Sequence, residues 1–312
     1  MKIVFMGSAE FGFPALKLLF ENHTVTGIVT TPPRPKGRGR AIGLSPVAEF
    51  AQARNFGPIY APEDLHDLRF HRDLAACNAD LFVVVAFRIL PRSLFSLPPL
   101  GTINIHASLL PKYRGPAPIQ RAIEAGETET GVTVFRIDEG IDTGMILLQK
   151  RTPIGPAETT PELYDRLGVL GAEALKEVLA HLDASTAVVM GQDHSASSRA
   201  PKLSREEAAI NWYLPSKVIF NKIRAFKPFP GTYTLFGGER LGIEAAELPP
   251  SLALADPNTV KPGTIVRVRD SYFDVQCLDG SLRIIEVKPA GRRRMNVHDF
   301  LLGTPMREGM ML

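Results

Sequence analysis

The chain has 312 residues, enough to bury a sizeable core and long enough to suggest two domains. With 45% hydrophobic and 22% charged residues, and no apolar run near the roughly 20 residues that span a bilayer, its composition excludes a disordered chain and a helical membrane protein. The formal net charge of +3 is too small to establish nucleic-acid binding, and the two cysteines, Cys77 and Cys277, stand without His or Cys at ligand spacing, which argues against a disulfide framework or a zinc site.

The opening MKIVFMGSAEFG is apolar only as far as Gly7, where Ser8 and Glu10 follow. It reads as a strand entering a turn rather than as a leader, and predicts a cytoplasmic protein. The turn GSAEFG invites comparison with phosphate-binding glycine loops, but it lacks G-x-G-x-x-G, has no Lys-Ser/Thr, and is not followed by an acidic residue at the end of the second strand, where TPPRP stands. A nicotinamide enzyme is therefore disfavoured. KIVFM, TVTGIVT, DLFVVVAF and GTINIH are short β-branched or apolar runs, and PALKLLFEN and SPVAEFAQARN between them have helical periodicity. This alternation predicts a parallel sheet covered on both faces.

Between the second strand and its following helix, TTPPRPKGRGRAIGLSP carries Arg34, Lys36, Arg38 and Arg40 among glycines and prolines. Such a run is either a solvated face or a loop that grips phosphates, and the residues leave both readings open. After His106 the pattern continues through a helix in APIQRAIEAG, strands in TGVTVFRI and GMILLQKRTPI, and a helix from about 162 to 182, which closes a first domain over 1–185. Residues 186–203 are small and polar without periodicity, as in a linker. A second domain over 204–312 opens with predicted helices in LSREEAAINW, with a Ser cap, and PSKVIFNKIRAF. Five short strands follow, in TYTLF, RLGIEAAEL, GTIVRVRD, YFDVQCL and SLRIIEVKP. The predicted fold is α/β: a Rossmann-like, mostly parallel sheet, then a smaller OB-like β-barrel. Residues 1–200 carry 20 Lys and Arg against 21 Asp and Glu, and residues 201–312 carry 16 against 12, so the positive excess lies in the second domain.

Asn104 and His106 alternate on one strand and so project to one face, and Asp142 lies in the turn DEGIDTG. An amide donor and an imidazole side by side suit stabilisation of charge growing on a carbonyl oxygen, and Asp142 folding back would orient the imidazole. A satisfied core histidine and an ordinary turn aspartate fit the same spacing. No serine elbow or cysteine nucleophile is present, so a covalent acyl-enzyme has no support. In SLLPKYRG, Pro111 fixes φ, which suits either the wall of a flat apolar ligand site or a plain structural turn.

NIHASLLPKYRGPAPIQ together with DEGIDTG resembles the signature of the formyltransferases that use 10-formyltetrahydrofolate. The resemblance implies that Asn104, His106 and Asp142 are catalytic. It further implies that Ser108, Leu109, Leu110 and Pro111, with Phe87 and Ile141, hold the folate. Three stretches, PPRPKGRGR, KLSREEAAINW and IRAFKPFPGTY, narrow it to the branch that formylates initiator methionyl-tRNA, and the likeness runs the length of the chain. In that branch Arg34, Lys36, Arg38 and Arg40 would reach the acceptor end of the tRNA and the basic second domain would contact it. Implied too are 10-formyltetrahydrofolate as co-substrate, no metal and a monomer. Asn104 and His106 would stabilise the oxyanion formed when the amine attacks the formyl carbon, with Asp142 holding His106 and assisting proton removal. Two departures stand out: Ala107 where many relatives have Gly, and AFRILP at 86–91, shorter than its counterpart and without its Gly. The same chemistry would serve an amino-sugar nucleotide or glycinamide ribonucleotide as acceptor. A third alternative, a non-catalytic RNA-binding module, gives no reason for Asn104, His106 and Asp142 to stand together.

Overall fold

The short apolar runs of the amino-terminal half become neighbouring strands of one sheet. The computed structural model describes residues 1–36, 41–249 and 260–312. These form two units, the first comprising Met1–Pro118, Glu129–Pro153 and Tyr164–Ala200, the second Ile119–Thr128, Ile154–Leu163 and Pro201–Leu312.

In chain order the first part holds β1 (Lys2–Gly7), α1 (Phe13–Asn22), β2 (Thr24–Val29), β3 (Arg34–Lys36), β4 (Ala41–Gly43), α2 (Pro46–Gln52), β5 (Ile59–Tyr60), α3 (Leu68–Ala76), β6 (Leu81–Val85), α4 (Arg92–Phe95), β7 (Thr102–His106), α5 (Pro118–Glu124), β8 (Glu129–Arg136), β9 (Ile146–Pro153) and α6 (Thr160–Asp183). The seven-stranded sheet runs β5-β2-β1-β6-β7-β8-β9. Its first five members are parallel, whereas β8 is antiparallel to β7 and β9 to β8. All five residues of β6, LFVVV, are buried, as a strand covered on both faces requires.

Local signals explain where the helices start. Pro46 opens α2 behind Ser45, whose Oγ accepts from the Ala48 N–H at 3.0 Å, and Asp67 caps α3 through the Arg69 N–H at 2.8 Å. Phe70 and Leu74 of α3 and Leu94 of α4 join Val4, Met6, Phe82 and Val84 in one core. Val84 is the register partner of Asn104, so Asn104 and His106 share that face, and Ile105 points the other way. There α6 approaches closely: a Cβ on Gly171 would lie 2.9 Å from Ile105 Cγ2. β7 is thus held from behind by a helix while its polar pair faces forward. The hairpin of β3 and β4, the two-residue β5 and the helices α3 and α4 are additions to the strand and helix pattern read from the sequence.

The second unit contains α7 (Ser216–Ala225), β10 (Thr232–Phe236), β11 (Glu239–Glu247), β12 (Ile265–Arg269), β13 (Tyr272–Gln276), β14 (Ser281–Pro289), β15 (Met295–Asn296) and α8 (Val297–Gly303). β10 to β14 are the five expected short strands, in the antiparallel order β10-β11-β14-β13-β12, with β15 added on β14. Register shifts in the β11–β14 and β12–β13 ladders bend the sheet around a core that includes Trp212, Ile219, Phe220, Ile223 and Phe273. The helix expected in LSREEAAINW is instead one 3-10 turn, Glu206–Ala208. The chain there is drawn into extended pairing with β10, the Ile210 N–H donating to the Tyr233 carbonyl at 2.8 Å, and Trp212 is buried with its indole N–H on Thr234 Oγ1 at 3.1 Å. Cys277 is buried and its thiol pushed up to about 12 by desolvation, whereas Cys77 is only half-buried. No helix among the described residues is long and apolar enough to cross a membrane.

Gly131, on β8, leaves space for the loop after β7: a Cβ there would collide with the Lys150 carbonyl and lie 2.7 Å from Leu109 Cδ2. Gly131→Ala should therefore cost about 1–3 kcal/mol as overpacking, read as a lowered urea midpoint at unchanged m.

Candidate active site

β7 places Asn104 and His106 two residues apart on one face, with Phe135 and Thr133 of β8 as their register partners. His106 is 7% exposed. Its Nε2–H donates to the Tyr113 carbonyl at 2.9 Å. With that nitrogen committed as the donor, Nδ1 is the ring atom left to face a reacting group, as a lone pair in the neutral ring and as an N–H in the imidazolium. Asp142 Oδ2 lies 3.6 Å from Nδ1, longer than a hydrogen bond, and accepts instead from the Gly115 N–H at 2.8 Å. The imidazole is thus oriented by a backbone carbonyl of the loop after β7, where the sequence suggested Asp142. The Asp142 carboxylate stands beside the ring.

Asp142 arrives by an indirect route. β8 ends beside the start of β7, the Ile137 N–H donating to the Thr102 carbonyl at 2.8 Å, and residues 137–145 then fold back toward His106. Asp138 Oδ1 ties the turn by accepting from the Gly140 N–H at 3.0 Å and Thr143 Oγ1 at 2.6 Å. Asp142 itself has φ +54°, a left-handed conformation that aspartate tolerates better than most residues. Asn104 Oδ1 is buried and has no hydrogen-bond partner among the described residues. Such an atom is costly unless something brought to the site donates to it.

The expected folate segment divides by the direction of its side chains. Ser108 is fully buried, its hydroxyl donating to the Lys112 carbonyl at 2.7 Å, and Leu110 packs against Phe135 and Ile146. Leu109 and Pro111 are half-buried. Phe87 is half-buried beside the core of α3 and β6, and Ile141 is 57% exposed on the turn next to Asp142. Among the basic residues, Arg34 is exposed on β3 and Lys36 ends that strand, while Arg38 and Arg40 lie outside the described residues. Among the described residues no group of three or more His, Cys, Asp and Glu could hold a metal ion.

Several residues that build the site carried no signal in the sequence. Thr133, fully buried on β8, donates to the Ser108 carbonyl at 2.7 Å and accepts from the Leu110 N–H at 3.1 Å and Gln149 Nε2 at 2.9 Å. Gln149 Nε2 also donates to the Leu110 carbonyl at 2.8 Å. Residues 190–200, within the expected linker, pair with the loop and the turn. The Arg114 N–H donates to the Ser198 carbonyl at 2.9 Å, the Ala200 N–H to the Arg114 carbonyl at 2.6 Å, and the Tyr113 N–H to Ser198 Oγ at 2.9 Å. This stretch is rich in small and polar residues and has no period, so nothing in the sequence marks it as part of the site.

Residues 1–179 match the formyl transferase family and residues 202–305 its formyl transferase C-terminal domain. A methionyl-tRNA formyltransferase of Moorella thermoacetica is 42% identical over 315 residues, covering 100% of this chain and 99% of its own. One from Trichlorobacter lovleyi is 40% identical over 313 residues, covering 100% and 96%. Among solved structures, an N-formyltransferase of Helicobacter canadensis in complex with folinic acid and dTDP-3-aminofucose is similar with a TM-score of 0.65 at 22% identity, over 95% of this chain and 100% of that one. HypX of Aquifex aeolicus, in complex with tetrahydrofolic acid, is similar with a TM-score of 0.63 at 19% identity over 97% of this chain, which spans about half of HypX, 47% of its length. At these identities the two structures speak to the fold alone.

Thr133→Val keeps the volume of the side chain but leaves the Leu110 N–H and the Ser108 carbonyl without their partner. The loss should be about 1–3 kcal/mol in unfolding free energy, measured by urea titration; an unchanged midpoint would mean that the hydroxyl does not hold this loop.

Proposed function

The chain belongs to the formyl transferase family, and on that premise we propose that it transfers the formyl group of 10-formyltetrahydrofolate to the α-amine of initiator methionyl-tRNA, giving N-formylmethionyl-tRNA for translation initiation. The observation that carries the choice of acceptor is likeness over both domains at once: methionyl-tRNA formyltransferases match from end to end at about 40% identity. The sugar formyltransferases share the fold at 22% identity or less. An amino-sugar nucleotide or glycinamide ribonucleotide is the competing acceptor, and one assay separates them. The protein, given 10-formyltetrahydrofolate with each amine in turn, should formylate methionyl-tRNA; formylation of only the sugar or the ribonucleotide would overturn the reading.

The donor supplies an electrophilic formyl carbon. Attack by the amine forms a carbon–nitrogen bond, puts negative charge on the formyl oxygen, and ends when the bond to N10 of the folate breaks and N10 takes up a proton. Asn104 donates its amide N–H to that oxygen, and its Oδ1, without a partner among the described residues, accepts from the attacking amine. His106 presents Nδ1 to the same oxygen because Nε2 is held by Tyr113. Asp142, 3.6 Å away, balances the imidazolium charge and helps remove the proton shed by the amine, directly or through water. Burial of His106 lowers the local dielectric and strengthens each of these interactions. The folate lies along Leu109, Pro111, Phe87 and Ile141, with Ser108 and Leu110 shaping the wall from within.

The basic residues Arg34, Lys36, Arg38 and Arg40 bind the phosphates at the acceptor end of the tRNA, and residues 204–312 form the tRNA-binding domain, with a catalytic domain over 1–185. The enzyme is cytoplasmic and acts as a monomer.

His106→Ala and Asp142→Asn should each lower turnover about 100-fold or more, as loss of an interaction made in the transition state, and near-normal kcat in either would remove the proposed roles. Arg38→Ala should raise KM for the charged tRNA and flatten its dependence on salt while folate binding stays unchanged.

A further inference from the structure

We propose that Gln192 is a positioning residue for Asp142, so that residues 190–200 belong to the active centre as well as to the path between domains. The inference rests on the formyl-transfer reading above and adds to it a residue outside the signature motifs.

The side chain of Gln192 uses both ends of its amide. Its Nε2 donates to the Asp142 carbonyl at 3.0 Å and to the Gly144 carbonyl at 2.8 Å. Its Oε1 accepts from Arg114 Nη2 at 2.6 Å and Arg114 Nε at 3.2 Å, and Arg114 Nη2 also meets His194 Nδ1 at 3.0 Å. One amide therefore joins the backbone of the turn that carries Asp142 to the side chain of Arg114, in the loop that holds His106. Arg114 lies between Tyr113, whose carbonyl holds His106, and Gly115, whose N–H holds Asp142. The turn on the other side contains Asp142 at its left-handed φ of +54°. That conformation needs external support to stay populated, and the grip of Gln192 on the Asp142 carbonyl supplies it.

The strap that delivers Gln192 is itself fixed. Met190 and Ile146 exchange backbone hydrogen bonds of 2.8 Å in each direction, just after the turn, and Arg114 pairs on both sides of Arg199 at the far end. Gln192 hangs between two anchored points. A glutamate there would keep the acceptor for Arg114 but offer no donor, and would set negative oxygen against two carbonyls. Alanine would remove both halves of the clamp. Because neither change reaches a substrate, each should act on turnover rather than on binding, through the placement of the carboxylate beside His106.

The test is kinetic and uses the full chain with 10-formyltetrahydrofolate and methionyl-tRNA. Gln192→Ala and Gln192→Glu should each lower kcat about tenfold to a hundredfold, with KM for both substrates within about twofold of wild type. Circular dichroism and the thermal midpoint report whether each variant is folded, and the near-isosteric glutamate variant keeps the test decisive if alanine does not fold. In an Asp142→Asn background, Gln192→Ala should add less than about a further twofold loss, since a residue that acts through Asp142 has nothing left to position. Wild-type kcat in either folded variant, or a full additional loss in the Asp142→Asn background, would overturn the proposal and leave formyl transfer standing. A wild-type protein unable to formylate methionyl-tRNA would overturn the functional reading and this inference with it.

Discussion

The hydrogen bond from His106 Nε2 to the Tyr113 carbonyl commits one nitrogen of a buried imidazole to the backbone and thereby decides which nitrogen is free. For that bond to form, a loop of several residues after β7 must be placed to within a fraction of an ångström, and much of the surrounding structure serves that end. Thr133 and Gln149 hold the loop from the neighbouring strands, Ser198 and Ala200 hold it from the strap, and α6 backs the strand from which it departs. Asp142, freed from orienting the ring, keeps its carboxylate on the Gly115 N–H and faces Nδ1 across 3.6 Å. The ring and the carboxylate are thus held by separate backbone groups, so that a change at Asp142 need not turn the ring.

Much of this was legible in the sequence, and the residues that were not share a physical reason. The alternation of β-branched runs with 3.6-residue periodicity marked β1, β2, β6 and β7 together with α1 and α2, because burial on both faces leaves continuous apolar runs in the strands. Asn104 and His106 fell on one face because strand geometry has period two. Thr133, Gln149 and Gln192 escaped notice because their work is done by side-chain hydrogen bonds to groups distant in sequence, and no period or composition records such a bond. LSREEAAINW looked helical for the converse reason: local propensity favoured a helix, and pairing with β10 together with burial of Trp212 overrode it.

The two parts of the function are written in different ways. The proposed chemistry resides in a few largely enclosed polar groups, each held by hydrogen bonds to its neighbours. The proposed choice of acceptor resides in the cations of a glycine-rich and proline-rich segment, and in the positive excess of residues 201–312. A buried network of this kind tolerates few changes, because each leaves an unpaired polar group behind. A basic segment tolerates many, since phosphates are recognised by charge and reach. Divergence of acceptor within one fold follows naturally from that asymmetry.

The reversal of direction at β8 has an effect beyond the site. It makes β9 the last strand of the sheet, with one row of backbone groups available to any passing extended chain. Ile146 at its start is occupied by Met190, charged Lys150 and Arg151 stand near its middle, engaged by Glu177 at 2.5 Å and Glu129 at 2.6 Å, and Pro153 ends it. The strap that holds the loop after β7 thus also covers one end of an open sheet edge, so that one short segment both fixes the surroundings of His106 and shields backbone groups of β9.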